Sequence, residues 1–196
     1  MVDSRIKSIA EEYHLVVGSV SDAKTVADLR RVDSNLDRLL QQQLPEEWER
    51  NIIILRDSIG KAIIFIDALP KDLDAIVQII AQISEKEHPH CISAVRHCAS
   101  TVRLELEKEE QIWIAKYVAA AEKSYQTMSP QECTTWLERT KTLPGFLGAE
   151  SKRRYGCVKE LIEHQLHAAR VDGVLSMYDA LTQHEKEEFK KLLAQR

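Results

Sequence analysis

Apolar residues in this chain fall at steps of three and four. Val26, Leu29, Val32, Leu36 and Leu39 form one such series, and Leu73, Ile76, Ile80 and Ile83 a second. That spacing lays a stripe along one side of an α-helix and predicts amphipathic helices packed on a common core. Shorter hints of the same pattern recur at Trp136 and Leu137 and at Phe189, Leu192 and Leu193. Helix-start signals stand before each series. "SPQE" at Ser129 and "TQHE" at Thr182 read as capping boxes, the first with Pro130 at the opening helical position. "SDAKTVADL" from Ser21 and "PKDLD" from Pro70 read as two more openers, with acidic residues suited to the positive end of a helix dipole.

Each of the first three short segments ends in a proline-containing break, and after each break a long helix is expected. These long helices run from Glu46 to Ala68, His90 to Gln126 and Ala149 to Leu181, and a first helix from Ser4 to Val20 precedes them. The run "NIIILRDSIGKAIIFI" could pass for a β-hairpin, being β-branched on both sides of a polar centre. Trp48, Ile52, Leu55, Ile59, Ile63 and Ile66 nevertheless keep helical spacing throughout, so a helix is expected, with Ile63 and Ile66 buried at the centre of a bundle. The fold class expected is therefore all-α, an elongated array or bundle of about eight helices, short alternating with long. The chain is read as one domain, 1–196, with openers near 21, 70, 129 and 182 marking degenerate units like those of stacked helical arrays.

Composition narrows this picture. Across 196 residues, 44% are hydrophobic and 30% charged, enough apolar material for a real core and too much for a disordered chain. The formal charge of −4 gives no general attraction to nucleic acid or anionic lipid. The most apolar stretch is interrupted by Arg56, Asp57 and Lys61, so no membrane span is expected. Cys91, Cys98, Cys133 and Cys157 form no CxxC pair, which suits free thiols in a cytoplasmic protein.

The densest candidate chemistry is "EKEHPHCISAVRHCAS", Glu85 to Ser100. With Pro89 as the first helical position, the pairs His90–Cys91 and His97–Cys98 stand seven residues apart, roughly 10.5 Å along a helix at about 1.5 Å per residue. Ligands sharing one ion on a helix stand three or four apart. Buried cysteines are therefore expected at 91 and 98, on a stripe running through Val95, Val102 and Leu106 to Trp113 and Tyr117. A helical-bundle metalloenzyme built on this segment, and a reactive thiol beside His90 or His97, are the rival readings. "KELIEHQLHAAR" at Lys159 lacks the paired Glu-x-x-His of a di-iron bundle, and no phosphate loop or nucleophile elbow occurs.

What remains points to interaction. The expected function is a non-enzymatic module, a scaffold, adaptor or regulatory subunit, binding another protein through helical faces, with no cofactor and no metal. Its expected contact stretch is "LPGFLGAESKRR", where Phe146 and Leu147 could form an apolar centre and Lys152, Arg153 and Arg154 a basic rim. A hydrophobic staple at the following helix is the alternative for Phe146 and Leu147. A second function class, a small helical subunit touching nucleic acid in a larger assembly, would use Arg30, Arg31 and Lys152 to Arg154, although the charge balance argues against it.

Overall fold

The computed structural model describes the backbone of residues 2–194 and the side chains of 7–191 and 193. Met1, Gln195 and Arg196 lie outside it, as does the side chain of Leu192, which had been expected on the last apolar stripe. The described residues are helical with no strand, as the apolar spacing requires. The helices are α1 (Val2–Asp22), α2 (Val26–Leu40), α3 (Glu46–Asp67), α4 (Leu73–Gln82), α5 (Ile92–Trp113), α6 (Ala120–Ser124), α7 (Pro130–Arg139), α8 (Ala149–Ala180) and α9 (Gln183–Ala194). A π-helical turn, Ile114–Ala119, joins α5 to α6, so the expected long helix is continuous.

Local chemistry sets the helix starts. Thr25 and Asp28 exchange hydrogen bonds in a capping box at α2, and Ser129 and Glu132 do the same at α7, with Pro130 at the first helical position. Asp72 caps α4 by accepting from the Ala75 amide. Thr182 and Glu185 form the box that opens α9. The openers near Ser21 and Pro70 are thus corrected to Thr25 and Asp72. Ser21 closes α1, and Pro70 precedes a turn that the Asp72 carboxylate ends.

Two compact units divide the chain, Met1–Glu109 and Glu110–Arg196. In the first, α2 buries Leu29, Val32, Leu36 and Leu39 against α1 and α3, which supply Val16, Val20, Ile52, Leu55, Ile59 and Ala62. Tyr13 stacks on Trp48, ring centroids 4.5 Å apart, and its hydroxyl accepts from Asn51 at 2.6 Å. Arg56 on α3 ties α2 through Asp33 at 2.8 Å and Asp37 at 2.5 Å. Two expectations for α3 are corrected. Ile63 and Ile66 are only half-buried, and Ile64 is 72% exposed, because α2 covers the side of α3 marked by Ile52, Leu55, Ile59 and Ala62.

The second unit is built on an aromatic core. Trp136 of α7 stacks on Tyr155 of α8 at 5.6 Å, and Trp113 approaches Tyr155 from the side at 5.9 Å. Val118, Ala121, Cys133, Val158, Ile162 and Leu166 close around them. The Trp136 indole N–H donates to the Tyr117 carbonyl at 2.8 Å, in the middle of the π-helical turn. A π turn shifts hydrogen bonding to i→i+5 and displaces a carbonyl from the regular ladder, and here an indole from the neighbouring helix satisfies one in that turn. The buried Tyr155 hydroxyl donates to the Thr140 carbonyl at 3.0 Å, so the end of α7 is held to α8.

Candidate interaction surface

The stretch Leu143 to Arg154 lies at the entry to α8. Leu147 is fully buried, while Phe146 beside it is half-buried. Leu147 is therefore a packing residue, and any contact surface in this stretch is left to Phe146. The cap of α8 is unusual. Gly148 has no side chain to offer, and its amide N–H donates instead to the Glu110 carboxylate at 2.8 Å. Glu110, which breaks the apolar stripe of α5, thus places a negative charge at the positive end of α8. Of the expected basic rim, Arg153 bonds Glu150 at 2.9 Å and Arg154 bonds Glu122 at 2.7 Å. Lys152 is half-buried. Arg31 pairs with Asp28 at 3.1 Å and Arg30 lies 3.9 Å from Asp67, so both expected basic clusters are interleaved with acids.

In the His/Cys segment, α5 begins at Ile92 and not at Pro89. Residues Pro89 to Cys91 form a turn in which the Cys91 amide donates to the His88 carbonyl. Cys91 is buried, and burial pushes its thiol up to about 11. The expected burial of Cys98 is corrected to half-burial. The core stripe of α5 runs through Ala94, Val95 and Ala99, which leaves Cys98 at its margin with its S–H directed at the Lys24 carbonyl, 3.4 Å away. His88 is buried against Phe65 at 4.8 Å, and its Nδ1 has no hydrogen-bond partner among the described residues. No group of three or more His, Cys, Asp or Glu residues converges among the described residues, and all four cysteines are free. None of the described helices is long and apolar enough to cross a membrane.

A different region stands out. The N-terminal half of α8 buries Tyr155, Val158, Ile162 and Leu166, at steps of three and four. Beyond Leu166 the same side of the helix carries Ala169, Gly173, Ser176 and Ala180, too small to build a core, and a Cβ added at Gly173 would meet only open space. The large apolar residues reappear as Val171, Val174, Leu175, Tyr178 and Leu181. With 3.6 residues per turn this second stripe is rotated by roughly 150° from the first. It faces away from the aromatic core, and every residue from 170 to 177 is exposed.

α9 follows after a two-residue turn and touches the end of α8 at Tyr178 and Asp179. Phe189 meets Tyr178 with ring centroids 5.8 Å apart, and the Lys186 ammonium sits 5.4 Å from the centre of the Tyr178 ring while donating to the Asp179 carbonyl at 3.1 Å. Hydrogen bonding from Thr182 holds the Glu185 carboxyl below the ordinary carboxylate range, as expected of a working cap. The resulting hairpin is held at its tip but leaves its apolar side open. Val174, Met177, Tyr178, Leu181 and Phe189 line a groove of about 410 Å³, Met177 is 73% exposed at its edge, and Leu193 is 59% exposed. A second groove of about 330 Å³ continues along Val171, Val174 and Leu175 to His167 and Arg170. These residues were not singled out from the sequence, although the signal was present. Leu166 and Val171 are five apart, a break in the three-and-four rhythm on either side.

The chain matches no protein-family model, no curated protein and no solved structure.

Proposed function

We propose that this chain is a non-enzymatic protein-interaction module and that the α8–α9 hairpin is its main binding face. The observation that carries this reading is the exposure of Val171, Val174, Leu175 and Met177, on a stretch of α8 whose large apolar residues are turned away from the core that holds the rest of the helix. Isolated helices of this length are marginal in water and draw most of their stability from packing. A hairpin that shows Val174, Leu175 and Met177 to solvent gains roughly 25 cal/mol for each Å² of apolar surface that a partner covers. Methionine adapts its shape to the surface it meets, which suits Met177 to a contact position. Phe146, with Lys152, Arg153 and Arg154, forms a smaller secondary surface on the same unit. Four free thiols suit a reducing compartment, and the reading accordingly places the module in the cytoplasm.

The test is affinity capture from the native cell with the intact chain as bait, beside a Val174→Glu/Met177→Glu variant. Both positions are exposed, so the variant should keep its far-UV circular dichroism and melting temperature. Loss of the co-eluting proteins with an unchanged fold supports the reading. Retention of every co-eluting protein by the variant refutes it.

A further inference from the structure

We propose that the π-helical turn Ile114–Ala119 is a conformational latch, one extra residue that keeps the side chains before and after it on the same aromatic core and is held in place by the Trp136 indole. Before the turn, Glu110 and Trp113 stand three apart and hold the start of α8. The Glu110 carboxylate accepts from the Gly148 amide at 2.8 Å, and Trp113 lies 5.9 Å from Tyr155. After Val118, Ala121 and Tyr125 follow at steps of three and four, and all three pack on the same core. The step that joins the two sets, from Trp113 to Val118, is five residues.

In a regular α-helix a five-residue step turns the next side chain by roughly 140°, at about 3.6 residues per turn. A core on one side of such a helix would receive Trp113 and Glu110, or Val118, Ala121 and Tyr125, and not both sets. An i→i+5 turn spends one more residue on the same rotation. That takes back about 100° and leaves about 40°, well within an apolar stripe about 100° wide. α8 shows the same step without the correction. Leu166 to Val171 is also five residues, the helix stays α from Ala149 to Ala180, and Val171, Val174 and Leu175 are left exposed.

The latch is on α7. A π turn displaces a carbonyl from the regular ladder, and Trp136, itself stacked on Tyr155, donates its indole N–H to the Tyr117 carbonyl at 2.8 Å. One side chain thus stabilises the π form while resting on the ring that Trp113 also approaches. If the turn relaxes to α, Trp113 and Glu110 swing by about 100° from Tyr155 and Gly148. The start of α8 is then held only while the turn stays π.

The experiment uses the full chain and changes its length by one residue in each direction at Ala115, an exposed position within the turn. Deleting Ala115 sets Trp113 and Val118 four apart, so a plain α-helix carries both sets to the core. This variant should unfold cooperatively with a melting temperature within about 5 °C of wild type. Inserting one alanine after Ala115 adds about 100° that nothing takes back, and should lower the melting temperature by about 10 °C or more. Hydrogen exchange reads the latch. Trp136→Phe should speed exchange across Ile114–Ala119 in the wild-type chain and leave the shortened turn unaffected, because its carbonyls are back in the ladder. A deletion variant that melts as low as the insertion variant, or fails to fold, overturns the proposal. So does Trp136→Phe speeding exchange equally in both backgrounds.

Discussion

Trp136→Phe removes one donor from the second unit and keeps most of an aromatic ring. The indole N–H bonds the Tyr117 carbonyl at 2.8 Å, within the π-helical turn Ile114–Ala119. Without it that carbonyl loses its indole donor in a setting where Trp136 is almost fully buried. Leaving a part-buried acceptor without its donor costs about 1–3 kcal/mol, toward the lower end where water reaches it. The smaller ring gives up part of its packing against Tyr155 and Cys133, worth about 1–2 kcal/mol more. The expected total is about 2–5 kcal/mol, read by urea unfolding followed by far-UV circular dichroism. Hydrogen exchange separates the two contributions. Loss of the donor should speed exchange locally in Ile114–Ala119, whereas Ile162→Val, a packing loss of about 0.5–1.5 kcal/mol in the same core, should not single out that turn. A cost below about 1 kcal/mol, or unchanged exchange in Ile114–Ala119, refutes the view that Trp136 holds the π turn.

Three further outcomes are expected. Glu110→Gln keeps a hydrogen-bond acceptor for the Gly148 amide but loses the charge at the start of α8, so thermal unfolding should show a loss of about 0.5–1.5 kcal/mol, and an unchanged melting temperature would show that the carboxylate contributes nothing there. Burial raises the Cys91 thiol from 9.0 to about 11, so the stability tied to its protonated form is complete below pH 9.0 and drains away as pH climbs to about 11, and Cys91→Ala should flatten that alkaline decline. Leu147→Ala should cost about 2–5 kcal/mol in chemical denaturation, whereas Phe146→Ala should cost far less, and equal costs would mean that both side chains are packed alike.

The helices were legible because their signals are local. Apolar steps of three and four give the stripe of α2 residue by residue, and Ser129 and Thr182 open their helices where their capping boxes stand. The misplaced openers erred for a local reason too. Ser21 and Pro70 look like caps, but a cap is decided by which side chain reaches the third amide onward, and Thr25 and Asp72 are the ones that do. What spacing could not reveal is which side of an apolar helix its neighbours cover. α3 carries isoleucine on nearly every side, and only packing against α2 decides that Ile52 and Ile59 are buried while Ile64 is left in water. The bond from Gly148 to Glu110 spans 38 residues, and no local rule connects them. The indole that serves the π turn was hidden for the same reason, since Trp136 reads from sequence only as one more apolar residue.

The hairpin face belongs to neither category. The evidence for it is local, yet it emerges only when α8 is read as two helices in one. Val158, Ile162 and Leu166 advance by fours, then Val171 follows after five, and Val174, Tyr178 and Leu181 resume at four or fewer. A slip of one residue turns the apolar side by about 100° at 3.6 residues per turn, and the threes that follow carry it further round. A straight helix with apolar stripes on two sides needs two neighbours. The first stripe of α8 has α7 and the aromatic core. The second has only α9, a helix too short to cover it and itself showing Leu193 to solvent. If the slip were incidental to function, exchanging Val174 and Met177 for charged residues would cost nothing but surface hydrophobicity, and the chain would bind and associate as before. If the slip exists to present an apolar side beyond the core, those two substitutions should remove binding while leaving the aromatic core, more than a turn of helix away, with its stability intact.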